Sequence, residues 1–119
     1  MHAATALSDA VLAETRRGAV SRCPCCGDLD LRFDDVTLTL SPDQLRRMGA
    51  TVQAVRAEAG RPGRAWGWAL RAETQRESAV FTLRSGGDAL ALGDLLDAAV
   101  AVLDLDALLV GSLGPRPLA

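Results

Sequence analysis

Between Asp28 and Leu40 the chain reads DLDLRFDDVTLTL, in which Leu29, Leu31 and Phe33 fall on alternate positions, Asp34-Asp35 interrupts, and Val36, Leu38 and Leu40 resume the alternation. A period of two belongs to a strand with one buried face, so the segment predicts a hairpin turned at Asp34-Asp35, with Asp28, Asp30, Arg32, Thr37 and Thr39 toward water. After Leu40 the period changes. Ser41 offers a helix cap, Pro42 suits the first helical position, and Leu45, Met48, Val52 and Val55 recur at helical spacing, which predicts a helix over about 42–58. Gly60-Arg61-Pro62-Gly63 then ends it in a loop.

The second half repeats this grammar. Trp66, Trp68 and Leu70 alternate, and Ala79, Phe81 and Leu83 alternate after a polar stretch at 73–77. Past Ser85-Gly86-Gly87-Asp88, the residues Leu90 and Leu92 read as a short strand, with Gly93-Asp94 opening a helix whose apolar positions are Leu95, Leu96, Ala99, Val102 and Leu103. The alternative is that Asp88 caps a helix starting at Ala89, which deletes that strand. Ahead of the cysteines, AVLAETRRGAVSR forms a hairpin around Arg17-Gly18, or else a short helix capped by Ser8 or Asp9. The expected fold class is α+β: one domain over 1–119 with an antiparallel sheet from two hairpin-helix halves, about 18–59 and 64–110, and two main helices packed on one face. The similar order of elements in the halves suggests an internal duplication. The apolar stretch after Asp104 either extends the last helix until Gly111 and Pro115 stop it or docks against a partner subunit, leaving a flexible tail at about 112–119.

Composition narrows the chemistry. With 49% hydrophobic and 24% charged residues in 119, the chain has the make-up of a folded globule. Lys, Asn, Ile and Tyr are absent and all 13 basic residues are Arg, a bias expected of a GC-rich bacterial genome. Schiff-base and P-loop lysine chemistry are therefore excluded, as is a tyrosine acid or base. A net charge of −2 gives no long-range field for phosphates and disfavours a nucleic acid partner. The N-terminus lacks the pattern of a secretory signal, and the longest apolar stretch, 98–113, is interrupted by Asp104 and Asp106, so a cytoplasmic location without membrane contact is expected.

All three cysteines lie in Cys23-Pro24-Cys25-Cys26-Gly27, which fits two chemistries. A redox dithiol of C-P-x-C form needs a helix N-terminus beside it to lower the pKa of the first thiol. A zinc knuckle needs a strand on each side and a glycine after the second cysteine, where positive φ closes the hairpin tip. The predicted strand at Asp28–Phe33 favours the knuckle. Structural zinc needs four ligands, however, and only Cys23 and Cys26 stand at knuckle spacing. Cys25 lies between them, His2 is the only histidine, and two copies of the chain could each give a pair across a dimer axis. A tight turn that keeps its cysteines without metal is the plainer alternative.

Other candidates have plainer readings too. Trp66 and Trp68 could line a ligand site or an interface, or pack beneath the helices. The acids Asp28, Asp30, Asp34 and Asp35 solvate a sheet face and make a turn more readily than they bind a cation. Arg16, Arg17, Arg22, Arg32, Arg71 and Arg84 could share the outer sheet face and bind RNA or another polyanion, or form cross-strand ion pairs. Nucleophilic catalysis with histidine would depend on His2 alone.

A cysteine pair followed by Leu31, Phe33, Val36, Leu38, Leu40, Ser41, Gln44 and Leu45 resembles a family of small bacterial domains of unknown function, in which a CxxC pair precedes strand-helix repeats. That resemblance carries no activity with it. The residues themselves lead to the expectation of a small cytoplasmic, non-enzymatic binding or assembly module, homo-oligomeric (a dimer) or with a protein partner, with Cys23 and Cys26 as the candidate ligands of a structural zinc. A thiol redox protein and a polyanion-binding module are the alternatives.

Overall fold

The computed structural model of the chain describes residues 11–24, 26–59 and 67–113. Four strands, β1 (Val11–Glu14), β2 (Gly18–Arg22), β3 (Leu29–Phe33) and β4 (Val36–Leu40), pair antiparallel in chain order. Helix α1 (Pro42–Ala59) follows, then an antiparallel pair, β5 (Trp68–Glu73) and β6 (Ser78–Leu83), and last the long helix α2 (Gly86–Leu113). The fold is α+β, with both helices packed on antiparallel sheet, as the periodicities predict.

Register follows from the alternation. Leu29 lies opposite Leu40, Leu31 opposite Leu38 and Phe33 opposite Val36, so a single set of parities points inward. Leu29, Leu31, Phe33, Leu38 and Leu40 are all buried, while Asp30, Arg32 and Thr37 are exposed. The two-residue turn between β3 and β4 places Asp34 at φ 56°, the left-handed conformation that primed hairpin turns demand and that a short polar side chain tolerates. At the end of β4, the Ser41 N–H donates to Gln44 Oε1 (2.7 Å) and the Gln44 N–H donates to Ser41 Oγ (3.2 Å). This reciprocal cap starts α1 at Pro42, where the missing N–H of proline loses nothing.

The two helices run antiparallel. Arg46 near the start of α1 meets Asp104 near the end of α2 (3.0 Å), and Gln53 further along donates to Asp97. Leu45, Met48, Val52 and Val55 of α1 and Leu92, Leu95, Leu96, Ala99 and Leu103 of α2 form one core with the sheet. Twenty-eight residues make α2 about 42 Å long at about 1.5 Å per residue. Its far end outruns the core: Leu105, Leu108 and Leu109 are exposed.

Several expectations are corrected. Leu90 and Leu92 form no strand; both belong to α2, which begins at Gly86 and not at Gly93-Asp94. Ser85 is the cap: its carbonyl accepts the N–H groups of Asp88 and Ala89, and its Oγ accepts that of Asp88. The helix also passes through Gly111, which does not stop it, and includes Ser112 and Leu113; residues 114–119 of the expected tail lie outside the described residues. The strands do not join into one sheet. β6 lies beside β4, but the Thr39 N–H of β4 donates to the Glu77 carboxylate (2.7 Å). Hairpin-helix order still occurs twice, as β3-β4-α1 and β5-β6-α2. The expected hairpin around Arg17-Gly18 is present, and residues 11–14 are strand, not helix.

No helix among the described residues is long and apolar enough to cross a membrane.

Candidate functional site

The cysteine segment is the tip of the β2–β3 hairpin. Arg22 pairs with Leu29, and beyond that pair the Cys23 N–H donates to the Asp28 carbonyl (2.8 Å). The Gly27 N–H donates back to the Cys23 carbonyl (3.0 Å), and Gly27 has φ 79°. A side chain at that φ would be strained, which accounts for glycine there. Cys26 is in a turn and β3 begins at Leu29, so among the described residues no helix begins between Pro24 and Leu29. A C-P-x-C dithiol activated by a helix dipole would need such a helix start there.

Cys23 is half-buried and Cys26 exposed, and neither is in a disulfide. Cys25 and His2, the other expected ligands, lie outside the described residues, as does Trp66. Among the described residues, no group of three or more His, Cys, Asp and Glu side chains comes together to hold a metal ion. The hairpin tip thus contributes two thiols from one turn. Zinc accepts such donors in tetrahedral array, and its thiolate sites select against the harder cations.

Two of the four acids, Asp30 and Asp34, are engaged in other ways. Asp30 accepts a hydrogen bond from Thr39 Oγ1 (2.9 Å) directly across the β3–β4 pair. Asp34 belongs to a cluster that nothing in the local sequence announces. Because the strands form a meander, the β1–β2 and β3–β4 turns lie at the same end of the sheet, opposite the cysteine tip. There Arg17 donates two hydrogen bonds to Asp34 (3.0 and 2.7 Å) and one to Asp88 in the first turn of α2 (2.9 Å), with its guanidinium 4.7 Å from the Phe33 ring centroid. The second Asp88 oxygen accepts the Arg84 N–H (2.7 Å). The adjoining cleft of about 360 Å³ is lined by these charges. Because Arg17 bonds both carboxylates at once, the cluster acts as a clamp joining two hairpins to α2.

Hydrogen bonds from Arg17 hold the Asp34 carboxyl below its ordinary range, and the Arg84 N–H followed by Arg17 does the same for Asp88. A carboxylate whose pKa is lower folded than unfolded stabilises above the unfolded value of about 3.9 and loses that contribution as pH falls through the folded value. Urea midpoints at pH 7 and pH 3 should therefore differ more in the wild type than in an Asp34→Asn, Asp88→Asn variant. The excess should be about 1 kcal/mol, because exposed ion pairs are screened by solvent. An equal pH dependence in the two proteins would show that the clamp does not stabilise the fold.

Of the six candidate arginines, three stand elsewhere than on the outer face of the four-stranded sheet. Arg22 has the parity of Gly18 and Val20, so it lies on the core side of the sheet and reaches Asp106 of α2 (3.1 Å). Arg17 is in the clamp, and Arg71 is on the separate two-stranded sheet, where it pairs with Glu73 (2.9 Å). Trp68 is half-buried and packs against the core, following the plainer reading for tryptophan. A further cleft between α1 and β5, lined by Leu38, Leu40, Met48 and Leu70, measures about 200 Å³. That is below the roughly 300 Å³ at which small-molecule pockets begin.

The hairpin tip is therefore the candidate site on geometry. No protein-family model, no curated protein and no solved structure matches the chain.

Proposed function

We propose that the chain is a small binding or assembly module, cytoplasmic and non-enzymatic, in which Cys23 and Cys26 hold a zinc ion as a structural knuckle. Kinship with the family of small CxxC-bearing bacterial domains is part of this reading. The observation that carries it is the closed hairpin tip: strand, two cysteines and a left-handed Gly27, strand, with the Cys23 N–H bonded across the base to Asp28. A tip of this kind fixes two sulfurs on one short turn, whereas a thiol activated by a helix dipole needs a helix N-terminus beside it. Zinc is a suitable guest because it requires no redox chemistry and no particular ligand field, only deprotonated donors in tetrahedral array.

Metal analysis of protein purified without chelator should find zinc. Cys23→Ser and Cys26→Ser should each weaken zinc binding at least about 100-fold, more than the loss of a group that merely orients a ligand. In apo protein the same variants should leave the urea midpoint nearly unchanged, because the buried core lies elsewhere. Alkylation of the thiols by iodoacetamide should be slow with metal and fast after chelation. A Cys23 that reacts rapidly well below its usual pKa of about 8.5, with or without chelator, would overturn the proposal in favour of thiol chemistry.

A further inference from the structure

We propose that the knuckle is one half of a shared site: a single zinc ion bound by Cys23 and Cys26 of two copies of this chain, on a two-fold axis. The inference rests on the metal reading above and adds the identity of the missing ligands. Structural zinc is four-coordinate, and the hairpin tip supplies two sulfurs. Within the described residues no third His, Cys, Asp or Glu joins them. The tip is also accessible, since Pro24, Cys26 and Gly27 are exposed. A second tip related by a two-fold presents the same pair, so the two pairs close a tetrahedron of four sulfurs without any new residue type. That is the isologous arrangement in which the same surface serves both partners.

A second observation places apolar surface at this end of the molecule. Arg22, adjacent to Cys23, reaches Asp106 on the last turns of α2 (3.1 Å). Those turns carry the exposed Leu105, Leu108 and Leu109, of which Leu108 is 65% accessible. Metal alone would join two copies at a point; leucines on the same end give them surface to remove from water.

Binding is written Zn²⁺ plus four thiols giving one tetrathiolate zinc centre and four protons released to buffer, with no change of oxidation state. The test is native mass spectrometry of the full chain titrated with zinc, together with cobalt(II) substitution read by its visible absorption. The expected species is a dimer with one metal ion, half an ion per chain, whose cobalt form absorbs as a four-sulfur tetrahedral site. Chelation should return apo monomers, and Cys26→Ser should lower the metal-bound dimer at least tenfold while its circular dichroism stays that of the wild type. Cys25→Ser and His2→Ala should leave stoichiometry and spectrum unchanged. One ion per monomer, lost in Cys25→Ser or His2→Ala, would overturn the shared site and leave the knuckle standing. A dimer that persists after chelation and in the Cys23→Ser, Cys26→Ser variant would likewise overturn it. No metal uptake at all would sink the knuckle reading itself.

Discussion

Phe33→Ala is expected to destabilise the fold by about 3–5 kcal/mol, the range for removing a buried aromatic ring from a packed core. Phe33 is only 2% accessible, although it stands at the end of β3 beside a turn. It lies opposite Gly18 on one side and Val36 on the other, and the Arg17 guanidinium covers its ring. Truncation would leave a cavity and take from Arg17 a cation–π contact of about 0.5–1 kcal/mol. Since small domains are stable by only about 5–15 kcal/mol, this single change should bring the protein close to unfolding at room temperature. Phe33→Leu, which keeps most of the volume, should lose less than about half as much. Urea denaturation followed by tryptophan fluorescence measures both. A loss under 1 kcal/mol for Phe33→Ala would mean that the ring is not buried and that the register of β3 is wrong.

Gly18→Ala should be nearly as damaging, at about 3 kcal/mol, although it adds a single methyl group. A Cβ at Gly18 would run into the backbone carbonyl of Arg32 on the paired strand and stand 3.0 Å from Leu95 Cδ2 of α2. A flexible side chain could turn aside, but a ladder carbonyl cannot move without displacing β3. Gly87→Ala is the contrasting change: its Cβ would meet only Ser85 Oγ at 3.6 Å, in the first turn of a helix. That substitution should be neutral or stabilising by about 0.5 kcal/mol through helix propensity. Hydrogen exchange should show the damage of Gly18→Ala concentrated in the amides of β2 and β3. Equal effects of the two substitutions on stability would refute the close strand–helix approach at Gly18.

How far the sequence discloses this molecule varies along its length. The β3–β4 hairpin and α1 are legible because each has enough residues to fix a period and because Ser41-Pro42 marks the change between them. The stretch from Ser85 to Gly93 is ambiguous, since Leu90 and Leu92 alternate like a strand while Ala89, Leu92, Leu96, Ala99 and Leu103 also recur like a helix. The signal that resolves it is Ser85-x-x-Asp88, the spacing of a helix cap. Gly93, which reads as a helix boundary, sits inside α2 against Val52 and Arg56 of α1, where tertiary packing overrides propensity, and Gly111 also lies within the helix. The hairpin tip is legible from C-P-x-C-G, for the turn needs its glycine in place. What would complete the proposed metal shell is not, because that depends on which further segment or copy approaches. The Arg17 clamp is invisible to any local reading: residues 17, 34 and 88 meet only once the meander and α2 are assembled.

Glu77 has a consequence beyond the hairpin that it closes. By seating its carboxylate on the Thr39 N–H, it occupies a donor that an incoming β-strand would have to claim, and it sets a negative charge in that strand's path. Fibril growth along this margin would have to displace an anion before the first rung could form, so the molecule carries its own guard against runaway polymerisation.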